Sequence, residues 1–176
     1  LRKWYGTNDN PLLRKALERY PLVAGAMYWP YINHTWSVEK RLQVIDRHYR
    51  MLDGVASILA KATFEDTVLV NLGEEYPGLS LVLEKAPWFL REGEIVLSIF
   101  VSVDRVYSVA FTLGEENGKR IAYIGALQGR SLENAMEIYR NLTHALYGMR
   151  PRDFLLSALK ILCSLSGVEE LWGVRS

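Results

Sequence analysis

The chain has 176 residues, 49% of them hydrophobic and 23% charged, with a formal net charge of only +1. That length fits one domain and that apolar fraction fills a sizeable core, while the balanced charge gives no global field favouring nucleic acid or anionic lipid. One cysteine, Cys163, excludes an intramolecular disulfide, and without a cleavable leader at Leu1 the chain reads as cytoplasmic.

The charge is nevertheless uneven. Residues 1–60 carry nine Lys and Arg against five Asp and Glu, residues 61–176 twelve against fifteen, and residues 119–160 seven against three. Residues 20–38 lack a formal charge, but Pro21, Pro30, Asn33, His34, Thr35 and Ser37 interrupt them, so they do not read as a membrane span. Leu1 without a preceding Met points to a start further upstream.

In chain order, Asn10 is placed to cap a short helix with Pro11 at its first position, and Pro21 ends or kinks it. Tyr20, Tyr28, Trp29, Tyr31 and Trp36 follow in an aromatic segment whose rings suit core packing or a membrane interface. Ser37 is placed to cap a longer helix, on which Val38, Leu42, Ile45, Tyr49 and Leu52 form one apolar stripe and Lys40, Arg41, Arg47 and Arg50 lie largely off it. Those cations read as a solvated face or a contact for an acidic partner. Gly54 is expected to break this helix, and 55–62 to form another short one, so that residues 1–62 make a helical part of a single domain, 1–176.

From residue 63 the texture changes. Segments 68–72, 79–84, 94–103, 106–113 and 120–127 are rich in β-branched and aromatic residues and separated by turn signals, Asn117-Gly118 the strongest, which predicts antiparallel hairpins. One face of that sheet is expected to be covered by helices and the other partly exposed. Gly125 and Gly129 then read as a glycine turn leading to a helix capped by Ser131, with Leu132, Met136, Tyr139, Leu142 and Leu146 on its apolar side. Gly148 reads as the helix's C-terminal glycine, Pro151 as the first residue of a second helix ending at Gly167, and 170–174 as a closing strand. The two helices, back to back, would cover one sheet face. The predicted class is therefore α+β: N-terminal helices, a mostly antiparallel sheet, two helices and a closing strand.

Candidate chemistry is sparse. A glycine turn before a helix N-terminus can present free N–H groups to an anion, with Arg130 beside it, although the same residues also make ordinary connections. His144, near a helix C-terminus, reads as an anion contact or a packing residue rather than a base. Glu133 and Glu137 share a helix face and read as solvated rather than catalytic. Cys163, between Leu162 and Leu165, reads as an inert buried thiol. No spacing among His34, His48 and His144 suits a metal, and no phosphate-binding loop, nucleophile elbow or HExxH motif is present. Spacing predicts that Gln128, Gly129, Arg130, His144, Arg150 and Arg152 converge on one ligand-binding surface.

Four blocks carry a resemblance. They are Asn10-Pro-Leu-Leu-Arg14 with Tyr20-Pro21-Leu22; His48-Tyr49-Arg50 with Leu52; Gly125-Ala-Leu-Gln-Gly129; and Leu142-Thr-His-Ala-Leu-Tyr-Gly-Met-Arg-Pro-Arg-Asp-Phe-Leu-Leu156. Together, and in that order, they resemble the VirK/YbjX family of bacterial proteins. The resemblance implies a part in virulence, the cell envelope and resistance to antimicrobial peptides, and a place in the cytoplasm or at the inner membrane, but brings no catalytic residues. It also implies a further aromatic and basic segment beyond Ser176, so the chain reads as a fragment or a short member.

Whether the protein is an enzyme stays open. One reading is a non-catalytic accessory protein binding another protein or an anionic envelope component, without cofactor or metal, with Tyr28, Trp29, Tyr31 and Trp36 as peripheral membrane contacts. The alternative is an acetyltransferase-like enzyme holding a coenzyme A phosphate at the turn of Gly125 and Gly129, although Gln128-Gly129-Arg130-Ser131-Leu132 does not reproduce the glycine offsets of that superfamily's loop.

Overall fold

The computed structural model describes residues 9–55, 57–131 and 134–173. Five strands form an antiparallel meander, β1 (Thr67–Asn71), β2 (Leu79–Glu84), β3 (Ile95–Val101), β4 (Asp104–Glu116) and β5 (Lys119–Gly129), and β6 (Glu170–Gly173) joins the far edge parallel to β5. The class is α+β, as the alternation of residue types predicts. Asn117 and Gly118 both take positive φ, 51° and 76°, which is the two-residue hairpin geometry that matches strand twist.

The N-terminal helices form where their caps place them. Asn10 accepts a hydrogen bond from the Leu13 amide at 3.2 Å and opens α1 (Pro11–Arg19), and Ser37 Oγ accepts from the Lys40 amide before α2 (Val38–Val55). Pro21 starts a 3₁₀ segment, Pro21–Met27. The helix passes through Gly54 instead of breaking there, and α3 (Ser57–Ala62) follows. The cations of α2 are not a free solvated face: Lys40 pairs with Glu116, Arg47 with Glu115, and Arg50 with Asp46 and Asp9. Arg41 donates to the carbonyls of Ala26, Trp29 and Trp36, so its charge ties down the end of the aromatic segment.

After β5 come α4 (Ala135–Ala145) and α5 (Pro151–Leu165). The predicted start of α4 is corrected. The helix begins at Ala135 with Asn134 in the cap position, while Leu132 and Glu133 lie outside the described residues, as does Val174. Its end lies at the expected glycine: Tyr147 and Gly148 both take positive φ, 55° and 90°, and the Gly148 amide reaches back to the Thr143 carbonyl at 2.8 Å. Arg150 is extended before Pro151, and Gly167 closes α5 with φ 71°, both as predicted. Of the two helices only α5 lies across β3, β4 and β5; α4 leans mainly on α5 and has a single buried side chain, Leu142.

The sheet departs from the expected pattern at two places. The strand predicted over 94–103 stops at Val101, because Ser102 (φ 55°) and Val103 make a tight turn into β4. Gly125 and Gly129 lie within β5, not in a turn. Gly125 is a bulge opposite Ala110 and Phe111, and a Cβ there would stand 2.0 Å from the Glu92 carbonyl oxygen, so only glycine fits. Cross-strand rows define the two faces. Leu83, Leu97, Val109 and Leu127 form one row, in the core shared with Leu155, Leu159 and the buried Cys163. Val82, Ser98, Ser108 and Gln128 form a row on the opposite face, which the short 3₁₀ turn Pro87–Phe89 covers only through a small cluster of Ala86, Phe89, Val96 and Ala110.

Candidate functional site

The open sheet face carries a half-enclosed cleft of about 300 Å³, lined by Trp88, Phe89, Arg105, Ser108, Gln128, Gly129 and Arg130. Its polar residues are on the sheet because strand alternation puts them there. Glu84 ends β2 on this face, and Arg105 arrives beside Phe100 by a bulge at the start of β4. Arg105 donates from Nε to Glu84 Oε1 at 2.8 Å and from Nη2 to Oε2, a two-point pair that is almost fully buried. The guanidinium lies 4.2 Å from the Trp88 ring centroid and 5.3 Å from that of Phe100. Ser108, in the lining, shares a hydrogen bond of 2.8 Å with the hydroxyl of Ser98 beside it, both buried. Gln128 and Arg130 stand exposed at the rim.

Past the end of β5 lies a second, wider groove of about 790 Å³, lined by Met136, Tyr139, Arg140, Thr143, His144, Tyr147, Gly148 and Arg150. These residues recur at three- and four-residue steps because one face of α4 points away from the body. Met136 is 82% exposed and Tyr147 93%. The groove has three basic side chains, Arg140, His144 and Arg150, and no acidic one in its lining.

The six residues predicted to converge are thus distributed. Gln128, Gly129 and Arg130 line the sheet cleft, His144 and Arg150 line the α4 groove, and Arg152 lines neither but pairs with Asp153. Tyr139 divides the two: its hydroxyl donates to the Arg130 carbonyl at 3.1 Å and would meet a Cβ at Gly129 within 2.2 Å. The amide of Arg130 is spent on the Val106 carbonyl at 2.9 Å, so it does not point at an incoming anion. The proposed Glu133–Glu137 pair lies outside the described residues through Glu133.

Sequence reasoning missed a third feature, a buried polar cluster where the N-terminal helices meet the sheet. Residues adjacent at the end of β2 point opposite ways, so where Glu84 faces the cleft, Lys85 enters the core and donates to Glu94 Oε2 at 2.7 Å. Tyr49 donates to the same carboxylate at 2.6 Å and Tyr31 at 3.1 Å, and Tyr31 also bonds the Thr112 hydroxyl at 2.8 Å. Tyr31, one of the four predicted membrane contacts, is thereby fully buried and unavailable to a bilayer, whereas Tyr28 is exposed. Burial raises the Glu94 carboxyl's affinity for a proton, but the Lys85 ammonium and these hydrogen bonds outweigh it, so the group sits below the usual glutamate range. Burial and the Glu94 charge push Tyr31 and Tyr49 well up. His48 accepts the Leu113 amide on Nδ1 at 3.0 Å, and burial drives it down to about 3, so the ring is neutral. The legible signal was a Glu-Lys pair closing an apolar strand and a lone Glu opening the next.

Cys163 is buried and its thiol is pushed up to about 12 by burial, which leaves it unreactive. Among the described residues no helix is long and apolar enough to cross a membrane, and no three His, Cys, Asp or Glu side chains gather as metal ligands.

The fold is α+β, with one sheet face partly open and one face of α4 both basic and apolar. Residues 1–176 match the family described as "Protein of unknown function (DUF535)", and the chain belongs to it. It is similar to the "Uncharacterized protein YbjX" of Escherichia coli (strain K12), 25% identical over 184 residues covering 94% of this chain and 52% of that protein, which places it with the bacterial VirK/YbjX proteins. Two uncharacterised proteins of Haemophilus influenzae are 39% identical over 70 residues (37% of this chain, 23% of that protein) and 24% identical over 144 residues (78% and 48%). The chain spans about half the length of the first of these relatives and less than half of the others. No solved structure matches it.

Proposed function

We propose that this chain is a non-catalytic accessory protein that docks on an anionic surface of the bacterial envelope, in the setting of virulence and antimicrobial-peptide resistance that the family resemblance implies. The observation that carries this reading is the outward face of α4. Met136, Tyr139 and Tyr147 offer apolar surface among Arg140, His144 and Arg150, with no carboxylate in the lining to oppose an anionic partner. A helix of this kind lies in a membrane interface with its apolar side down and its cations at the headgroups. Each arginine near an anionic leaflet contributes about 1 kcal/mol, and the thioether and phenol rings add the apolar term. The loose seating of α4 on α5 leaves the face accessible.

Co-sedimentation with vesicles tests it. The chain should pellet with phosphatidylglycerol-containing vesicles and not with phosphatidylcholine alone, and Arg140→Glu with Arg150→Glu should abolish pelleting while the melting temperature holds. Equal binding to both vesicle types, or none, overturns the reading.

The coenzyme A alternative has less behind it. Its glycines belong to a strand, and the amide beside them is already bonded. A rise in melting temperature with coenzyme A that Arg130→Ala removes would reinstate it.

A further inference from the structure

We propose that the cleft on the open sheet face binds a small sugar-like ring carrying a single oxyanion, a sugar phosphate or a sugar acid. Two buried serines on this face have no explanation in ordinary packing. Strand centres as apolar as Ile95–Val101 and Asp104–Glu116 place Ser98 and Ser108 side by side on the face away from the main core, both buried, where two alanines or valines would pack without a hydrogen-bonding requirement. Two hydroxyls joined by one bond carry two protons, so one proton is left to seek a further acceptor, and Ser108 lines the cleft.

The remaining wall has the same bias toward donors. Glu84 occupies the Nε and Nη2 edge of Arg105, which fixes the guanidinium plane and leaves Nη1 uncommitted to that carboxylate. Glu84 also cancels the charge of Arg105, so among the described residues the uncompensated charge in the lining is that of Arg130 at the rim. Asp66 stands close enough to Glu84 and Arg105 to feel both, but lies outside the lining. A ligand with one negative charge and several oxygen acceptors therefore complements the cleft. Trp88, 61% exposed over Arg105, supplies a flat indole wall, and Gln128 offers a donor and an acceptor together. An aromatic wall among polar groups suits a ring whose C–H face is apolar and whose edge is hydroxylated. The volume, about 300 Å³, holds one such ring.

This site shares no lining residue with the α4 groove, so the two proposals fail independently. The test is a titration of isotope-labelled protein with glucose 6-phosphate, glucuronate, glucose and inorganic phosphate, read at the Trp88 indole N–H and the Gln128 and Arg130 amides. Glucose 6-phosphate or glucuronate should move those signals, with glucose and inorganic phosphate each at least about tenfold weaker. Trp88→Ala and Arg130→Ala should each weaken binding by about tenfold, and Arg130→Ala, whose side chain is exposed, should do so with the melting curve unchanged. The proposal is overturned if neither sugar anion perturbs these signals up to about 10 mM. It is equally overturned if inorganic phosphate or glucose binds as tightly as glucose 6-phosphate, or if Trp88→Ala binds like the parent.

Discussion

Acid should destabilise this protein through His48 well before its carboxylates protonate. The ring is fully buried, bonded through Nδ1 to the Leu113 amide, and faces Glu94, Lys85 and Tyr49. Its folded value is about 3 against an ordinary 6.5. A depressed value means that the unfolded chain takes up a proton that the folded chain refuses, so the stability is present above 6.5 and is lost as pH falls toward 3. Between pH 7 and pH 5 the unfolded imidazole goes from mostly neutral to almost wholly charged, which removes about 2 kcal/mol. Glu94 acts in the same direction but only below the ordinary glutamate value of 4.5, so this window isolates the histidine. In urea, with a slope of about 2 kcal/mol per molar for a chain of this size, the midpoint should drop by about 1 M. His48→Asn, whose carboxamide oxygen stands as many bonds from Cβ as Nδ1 does, should lose most of that pH dependence, whatever its absolute stability. Equal midpoint losses in parent and variant would refute the reasoning, as would an imidazole that titrates near 6.5 by nuclear magnetic resonance in the folded protein.

Lys85→Met strands the Glu94 carboxylate in the core with only tyrosine donors, and chemical unfolding should show a loss of about 3–5 kcal/mol, part of which Glu94→Gln in the same chain restores. If Lys85→Met unfolds like the parent, the pair does not hold the helices to the sheet. Gly125→Ala drives a Cβ into the Glu92 carbonyl, a backbone atom that cannot swing aside, and should cost about 1–3 kcal/mol or more. An unchanged melting temperature for that variant would remove the bulge from its place in the fold.

Local signals were legible wherever a residue acts on its own neighbours. Asn10, Ser37, Pro151 and Gly167 bound helices by bonding or freeing backbone groups a few residues away, and Asn117-Gly118 turns a hairpin, so each is found where its chemistry points. Gly125 and Gly129 misled for the opposite reason. Glycine is read locally as a turn, but here it answers to the Glu92 carbonyl and the Tyr139 hydroxyl, atoms remote in sequence. Gly148 closes α4 as its residue type predicts, but Tyr147 before it also takes a left-handed conformation that residue type did not announce.

The amino-acid sequence by itself determined the class of the protein: helices, a β-branched sheet with one covered face, two more helices and a strand, together with the family to which they belong. Period and propensity act over a few residues and need no tertiary partner. Only the tertiary structure decided the sites, because each joins residues tens of positions apart through strand register. It made Glu84 and Arg105 a buried pair under Trp88, brought Tyr31, Tyr49, Lys85 and Glu94 to one carboxylate, and set Tyr139 between Arg130 and Arg150. A one-residue shift in register would turn every one of those strand side chains to the other face, and that information lies in the packing of the whole sheet.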